Sequence, residues 1–277
     1  MTMDFRRCFS LFLAVILLLC TVPLSLAEEE DGEGTVTVID HTDDDLPAEM
    51  ELVETEPFIP FDQDKTVFYP DGRTTVKSPS KYPYSAIAYL DVRGECGCSW
   101  TGSGFMVNSD RLLTAAHCLV CTKHSKWAKK ITFYFGYKSS RNYLYKYTGR
   151  WYAYAGNLFR DKEYTTDWDY GCIKLDKKVG NKVGWFGTRW GLSDDALDLK
   201  FYYLAGYRDG TLKYDAGYVD VLSSQHIKYK MDTQPGYSGG PVYSSDYYAV
   251  GINIAENSSY NIGYRLTKYV KNDLDDL

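Results

Sequence analysis

Gly236-Tyr237-Ser238-Gly239-Gly240-Pro241 sets a serine among glycines and then enters an apolar run at Val242. Glycines at such a turn let backbone amides approach a reacting carbonyl closely. Two amides aimed at one point stabilise the oxyanion that forms when a hydroxyl attacks an acyl group. A serine hydroxyl is a weak nucleophile without a base, most often histidine, held in place by a third group. The chain has four histidines, His41, His117, His124 and His226, and none follows Ser238. The order serine, acid, histidine is therefore closed, and the base must come from upstream.

Upstream lies Leu112-Leu113-Thr114-Ala115-Ala116-His117-Cys118, an apolar run that delivers a histidine among small residues. Between the two patches lies Asp169-Tyr170-Gly171-Cys172-Ile173-Lys174-Leu175, an aspartate opening a strand-like run. The order His, Asp, Ser fits a nucleophilic triad. Ser238 is then the nucleophile, and His117 is the base that later protonates the leaving amine. The orienting acid is Asp169 or Asp167. Asp169 is favoured because Gly171, Ile173 and Leu175 follow it at period two, which places it at the mouth of a half-buried strand. Asp167 suits a loop or cap. His124 and His226 sit in no comparable context.

These three patches resemble the signatures of trypsin-like serine peptidases. Arg73, with Tyr82-Pro83-Tyr84-Ser85-Ala86-Ile87, is similar to the mature start of the bacterial glutamyl endopeptidase branch. Ser259-Tyr260-Asn261-Ile262-Gly263-Tyr264-Arg265-Leu266 resembles the end of the same branch, so the likeness runs from about Val67 to Leu266. The resemblance implies an all-β fold of two six-stranded antiparallel β-barrels, about 82–176 and 184–266, with the active site at their junction. It implies an oxyanion hole built from the amides of Gly236 and Ser238, and a substrate pocket lined by Asp232, Thr233 and the Asn253–Glu256 strand. In the glutamyl branch a histidine at the place of Asn253 receives the substrate carboxylate. Asp232 stands where trypsin-like enzymes keep the aspartate that selects Lys or Arg, or it only ties down the loop through backbone amides. The residue cleaved after is therefore left open between acidic and basic. Tyr237 stands where the digestive branch has the aspartate that pairs with a new N-terminus, and tyrosine cannot make that ion pair.

Composition sets the outer bounds. At 277 residues, the chain has ample length for a core. Its 26 tyrosines and 23 glycines favour strands and turns over helices. Arg6 and Arg7 precede an apolar run from Phe9 to Cys20, and Ser25-Leu26-Ala27 offers small residues for cleavage, so 1–27 reads as a signal peptide and the protein as secreted. From Glu28 to Asp64 there are 15 acidic residues and no Lys or Arg. The span 28–66 is thus an acidic pro-segment, expected to be disordered and able to pair with the net basic body at 67–277. Expected partners are protein or peptide substrates and this leader. No nucleic-acid motif accompanies the scattered basic residues, no further membrane segment is present, and a monomer needing no cofactor or metal is expected. Two other readings compete, a non-catalytic, peptidase-like binding protein and an esterase using the same triad.

Five cysteines lie beyond the signal: Cys96, Cys98, Cys118, Cys121 and Cys172. Export favours two disulfides, although Cys96, Cys98, Cys118 and Cys121 could also be four zinc ligands. Most trypsin-like peptidases pair the cysteine after the histidine with one on the preceding strand. Thr101 occupies that place here, so the resemblance makes Cys98 the candidate partner of Cys118. Cys172 reads as a buried apolar residue. Strands are expected over 85–92, 102–108, 111–114, 131–137, 143–155, 169–175, 201–206, 211–214, 217–222, 227–230 and 247–254. A basic loop is expected at 123–130, a linker at 176–184, and a short helix over 266–274.

Overall fold

The computed structural model describes residues 67–68, 70–155 and 166–277, together with the backbone of 35–36. The segments read as signal peptide and acidic leader, 1–27 and 28–66, lie outside the described residues, except that Thr35 and Val36 pair in parallel with Tyr152 and Ala153.

The chain is mostly β and folds as two antiparallel halves. The first holds β1 (Ile87–Gly94), β2 (Ser99–Met106), β3 (Arg111–Thr114), β4 (Val120–Cys121), β5 (Lys126–Phe135), β6 (Tyr145–Tyr147), β7 (Trp151–Tyr154) and β8 (Gly171–Leu175). The second holds β9 (Lys200–Arg208), β10 (Thr211–Val221), β11 (His226–Tyr229), β12 (Pro241–Tyr243), β13 (Tyr248–Glu256) and β14 (Asn261–Arg265). One helix, α1 (Lys268–Asp276), follows, capped where the Thr267 side chain accepts from the Val270 amide.

The second half closes on itself. Its strands run β9–β10–β11–β14–β13–β12 and return to β9, a six-stranded barrel without a free edge. The first half runs β7–β8–β3–β2–β1–β5–β6, with β4 paired to β5, and among the described residues no ladder joins β6 to β7. Among the described residues it forms a half-barrel sheet beside the closed barrel, within the two-halved, mostly β architecture that the resemblance implies.

Side chains alternate in and out, as a half-buried strand requires. In the first half Leu90, Val92, Phe105, Leu112, Phe133, Trp151 and Ile173 are buried. The closed barrel is filled by Leu204, Val219, Ile227, Val242 and Val250. Two expectations shift locally. The run 143–155 breaks into β6 and β7 around Gly149, where a side chain would collide with the Tyr147 ring. The basic loop at 123–130 is largely the start of β5, whose lysines occupy its outer face while Ala128 and Ile131 turn inward.

Candidate active site

His117 and Asp169 come from the first half, and Ser238 from the second. β3 ends at Thr114, and a single tight turn, Ala116–Cys118, then presents His117. Asp169 lies two residues before β8, which pairs with β3 from Gly171 opposite Thr114, so strand pairing with the short turn after Thr114 brings acid and histidine together. The Asp169 carboxylate is fully buried and grips His117 twice. It accepts from the His117 backbone amide at 3.0 Å and lies 2.7 Å from ring Nδ1. That contact places the ring proton on Nδ1 and leaves Nε2 as the acceptor.

The serine loop is pressed against β2 and against the turn that carries His117. The Ser103 amide in β2 donates to the Ser238 carbonyl at 2.8 Å. The Ser103 hydroxyl donates to the Gly236 carbonyl at 2.8 Å and accepts from the Tyr207 amide at 2.8 Å. Ser103 is fully buried and staples the two halves together. On the other side of the same contact, the Cys118 sulfur lies 3.5 Å from the Ser238 carbonyl. Gly236 takes φ +102°, and a Cβ there would sit 2.6 Å from the Tyr207 carbonyl. The amides of Tyr237, Gly239 and Gly240 donate to Gln234, Asn253 and Tyr237. Those of Gly236 and Ser238, the pair expected at an oxyanion hole, make no such backbone bond among the described residues.

Burial pulls the His117 pKa down, but the Asp169 charge and hydrogen bond, with the Cys118 sulfur, outweigh it and hold it well above the ordinary value near 6.5. A raised folded-state value means that the pair stabilises the fold fully below about pH 6.5 and loses this contribution as pH rises through the raised value. As a base the imidazole must be neutral. The acid limb of kcat/KM is therefore expected above pH 6.5. In Asp169→Asn the residual activity should show that limb displaced downward, and a pH–rate series with the limb unmoved would refute the coupling.

The expected pocket residues are arranged unequally. Both Asp232 oxygens are occupied by the amides of Phe68 and Gly72, on the incoming segment. Asn253 is buried in β13 and accepts from the Tyr229 hydroxyl at 2.7 Å. Thr233 is buried, and its carbonyl accepts from Arg73 at 3.4 Å. The Arg73 guanidinium also lies 6.0 Å from the Tyr237 ring centroid, so a cation does meet the residue before Ser238, although from a side chain. Within the expected Asn253–Glu256 strand, the structure singles out the last residue. Glu256, at the end of β13, is half-buried, bonded by the Thr233 side chain and within the field of His117. Burial pushes its carboxyl up to about 7, against the lowering effects of Thr233 and His117. The resemblance places it in the pocket-lining strand, but its burial and its contact with Thr233 are visible only in the structure.

His226 is a packed histidine, with Nε2 3.0 Å from the Thr166 carbonyl and Nδ1 3.1 Å from the Ser223 hydroxyl. The expected disulfides are absent, because all five cysteines are free. Cys98 is not beside Cys118. The Cys118 sulfur fills the space left by Gly102, 2.6 Å from where a Cβ would stand, while Cys98 lies 3.3 Å from His124 Nδ1. Cys172 is buried, with its sulfur 3.7 Å from the Val270 carbonyl.

Residues 102–252 match the trypsin-like peptidase domain. The chain is 31% identical over 220 residues to an extracellular metalloprotease of Bacillus subtilis, covering 76% of this chain and 69% of that protein. It is 30% identical over 226 residues to a glutamyl endopeptidase of Bacillus licheniformis, covering 76% and 68%. Among solved structures, a Glu endopeptidase in complex with MPD superposes with a TM-score of 0.66 at 23% identity, over 76% of this chain and 98% of that one.

Proposed function

This chain belongs to the trypsin-like peptidase family, and from that premise we propose that it is a serine endopeptidase acting through Ser238, His117 and Asp169. The observation that carries the proposal is the two-point grip of Asp169 on His117, next to a serine loop stapled by Ser103. Ser238 Oγ attacks the scissile carbonyl carbon while His117 Nε2 takes its proton. The oxyanion is received by the Gly236 and Ser238 amides. The imidazolium, balanced by Asp169, then gives its proton to the leaving amine, and the acyl-enzyme remains. Water, deprotonated by the same imidazole, attacks the ester, and Ser238 regains its proton as the acid product leaves.

The pocket favours a basic over an acidic residue before the cut. Asp232 is occupied by backbone amides, Asn253 carries no charge, and Glu256 supplies a carboxylate. Because that carboxyl titrates near 7, selectivity should depend on pH. The ratio of kcat/KM for a lysyl over a glutaminyl substrate is expected to rise about tenfold from below to above neutrality, as a charge-assisted hydrogen bond is gained. His117 titrates for both substrates alike and cancels from the ratio. Glu256→Gln should flatten the trend, and a flat wild-type ratio would sink this assignment.

Export and removal of the acidic leader belong to the same proposal, supported by the segment 1–27 and by the charge contrast between leader and body. An active secreted form beginning at Glu28 would overturn leader removal. The proposal as a whole is tested by treating the protein with an organophosphonate that esterifies activated serines, then cleaving a mixed peptide library. One adduct on Ser238 with loss of all cuts is expected. A folded, leader-free protein that takes no adduct and makes no cuts would be a binding protein instead.

A further inference from the structure

Two tight turns at the far end of the first half bring three thiols and an imidazole together. Cys96 and Cys98 lie in the turn between β1 and β2. Cys121 ends β4, and His124 lies in the turn between β4 and β5. The ligand atoms of these four residues all lie within 4.8 Å of one another. His124 Nδ1 is 3.3 Å from the Cys98 sulfur and 3.5 Å from the Cys121 sulfur. In a tetrahedral zinc site, with Zn–S about 2.3 Å and Zn–N about 2.0–2.1 Å, neighbouring ligand atoms stand roughly 3.5–3.8 Å apart. We propose that Cys96, Cys98, Cys121 and His124 form a structural zinc site.

The backbone builds this site for reasons unrelated to catalysis. Gly97 takes φ +80°, which tightens the first turn, and the Gly94 amide bonds the Cys98 carbonyl at 2.9 Å. The Cys98 amide donates to the Cys96 sulfur, the kind of outer bond that orients a thiolate ligand. The second turn is closed by the His124 amide on the Cys121 carbonyl at 3.2 Å. The Glu95 amide on the Trp127 carbonyl, at 2.9 Å, holds the two turns side by side. Soft thiolates with one imidazole select zinc over calcium or magnesium. Binding converts three thiols to thiolates and releases three protons, giving a site of net charge −1. Arg93, Lys123 and Lys126 are each within three residues of a ligand along the chain and offset that charge.

Three thiols in one cluster also argue against oxidation, since any disulfide among them leaves one sulfur over. Cys118, the fourth member in the sequence-based zinc set, is elsewhere, and His124 takes its place. Four protein ligands fill the tetrahedron, so the metal has no open position for substrate or water. Its effect is mechanical. Cys121 follows His117 by four residues, and Trp100 Nε1, next to the first turn, bonds the Cys118 carbonyl at 2.9 Å. The metal therefore secures the outgoing side of the loop that carries His117, where disulfides were expected.

The test begins with the zinc content of the intact purified protein, and with the absorption of protein refolded in cobalt(II). One zinc per chain is expected, released in step with titration of three thiols by a mercurial, and a thiolate-to-cobalt charge-transfer band. Cys121→Ser should lower zinc affinity more than about a hundredfold, whereas His124→Cys should keep the metal as a four-sulfur site. Chelation should lower the melting temperature without preventing a serine-directed phosphonate from finding Ser238. A metal-free protein two hydrogens lighter, with a disulfide mapped among Cys96, Cys98 and Cys121, would overturn the proposal. So would one zinc that survives Cys121→Ser combined with His124→Ala. The wild-type measurements stand even if the variants fail to fold.

Discussion

Ser238→Ala is expected to lower kcat by a factor on the order of 10⁴–10⁶ while leaving peptide affinity nearly unchanged. In the proposed mechanism the hydroxyl is the atom that bonds to the substrate, and the loop that carries it is fixed by groups other than its side chain. The Ser238 carbonyl is held by the Ser103 amide and the Gly236 carbonyl by the Ser103 hydroxyl, so alanine removes the nucleophile without releasing the loop. Some catalysis over water should persist from the oxyanion amides and substrate binding. Because the triad acts as a unit, His117→Ala combined with Ser238→Ala should be little worse than either alone. Single-turnover kinetics beside equilibrium binding of an uncleaved peptide separates the two effects. A drop of only tenfold would remove Ser238 from the chemistry.

Gly239→Ala is expected to abolish the fold at ordinary temperatures or to lower the melting temperature by about 10 °C or more. Gly239 takes φ +84°, a region that itself costs an L-residue about 1–2 kcal/mol. A Cβ would stand 2.0 Å from the Ser103 carbonyl oxygen and 2.2 Å from Thr114 Oγ1, both held in the seam between the halves. Thr114 Oγ1 already donates to that carbonyl at 2.6 Å, so neither atom can withdraw without breaking a buried bond. Conformational strain and overpacking together come to about 3–5 kcal/mol, and each kcal/mol lowers the midpoint of a domain this size by about 2–4 °C. Gly191→Ala is the control. Its φ is +60°, but its Cβ would meet only the Lys268 side chain at 3.2 Å, which can swing away. Equal thermal losses in the two variants would mean that the close approach at Gly239 is not what holds the seam.

The candidate triad of His117, Asp169 and Ser238 is readable in the sequence because each sits in a short contiguous patch of residue types that such chemistry requires, and the structure adds the Asp169–His117 contact. The β character was legible because Ile173 and Leu175 alternate, as do the positions around Leu90. What stayed hidden depends on pairing across the chain. Ser103 reads as one small residue in a strand, yet it joins three segments, an arrangement visible only once β2 lies beside the serine loop. β5 was obscured because its lysines line an outward face and mask the inward positions. The cysteine arrangement stays hidden because the resemblance pairs Cys98 with Cys118, whereas the turns bring Cys96, Cys98 and Cys121 to His124. Asp232 resembles a substrate-reading acid by position, but the incoming segment occupies its oxygens.

The division of the site between halves also sets an order in time. A chain grows from its N-terminus at about 5–20 residues per second, and first-half strands can pair before second-half residues exist. Asp169 precedes Ser238 by 69 residues, so the histidine and its acid are made several seconds before the hydroxyl they are to activate. Throughout that interval the nascent polypeptide carries a proton acceptor with nothing to deprotonate.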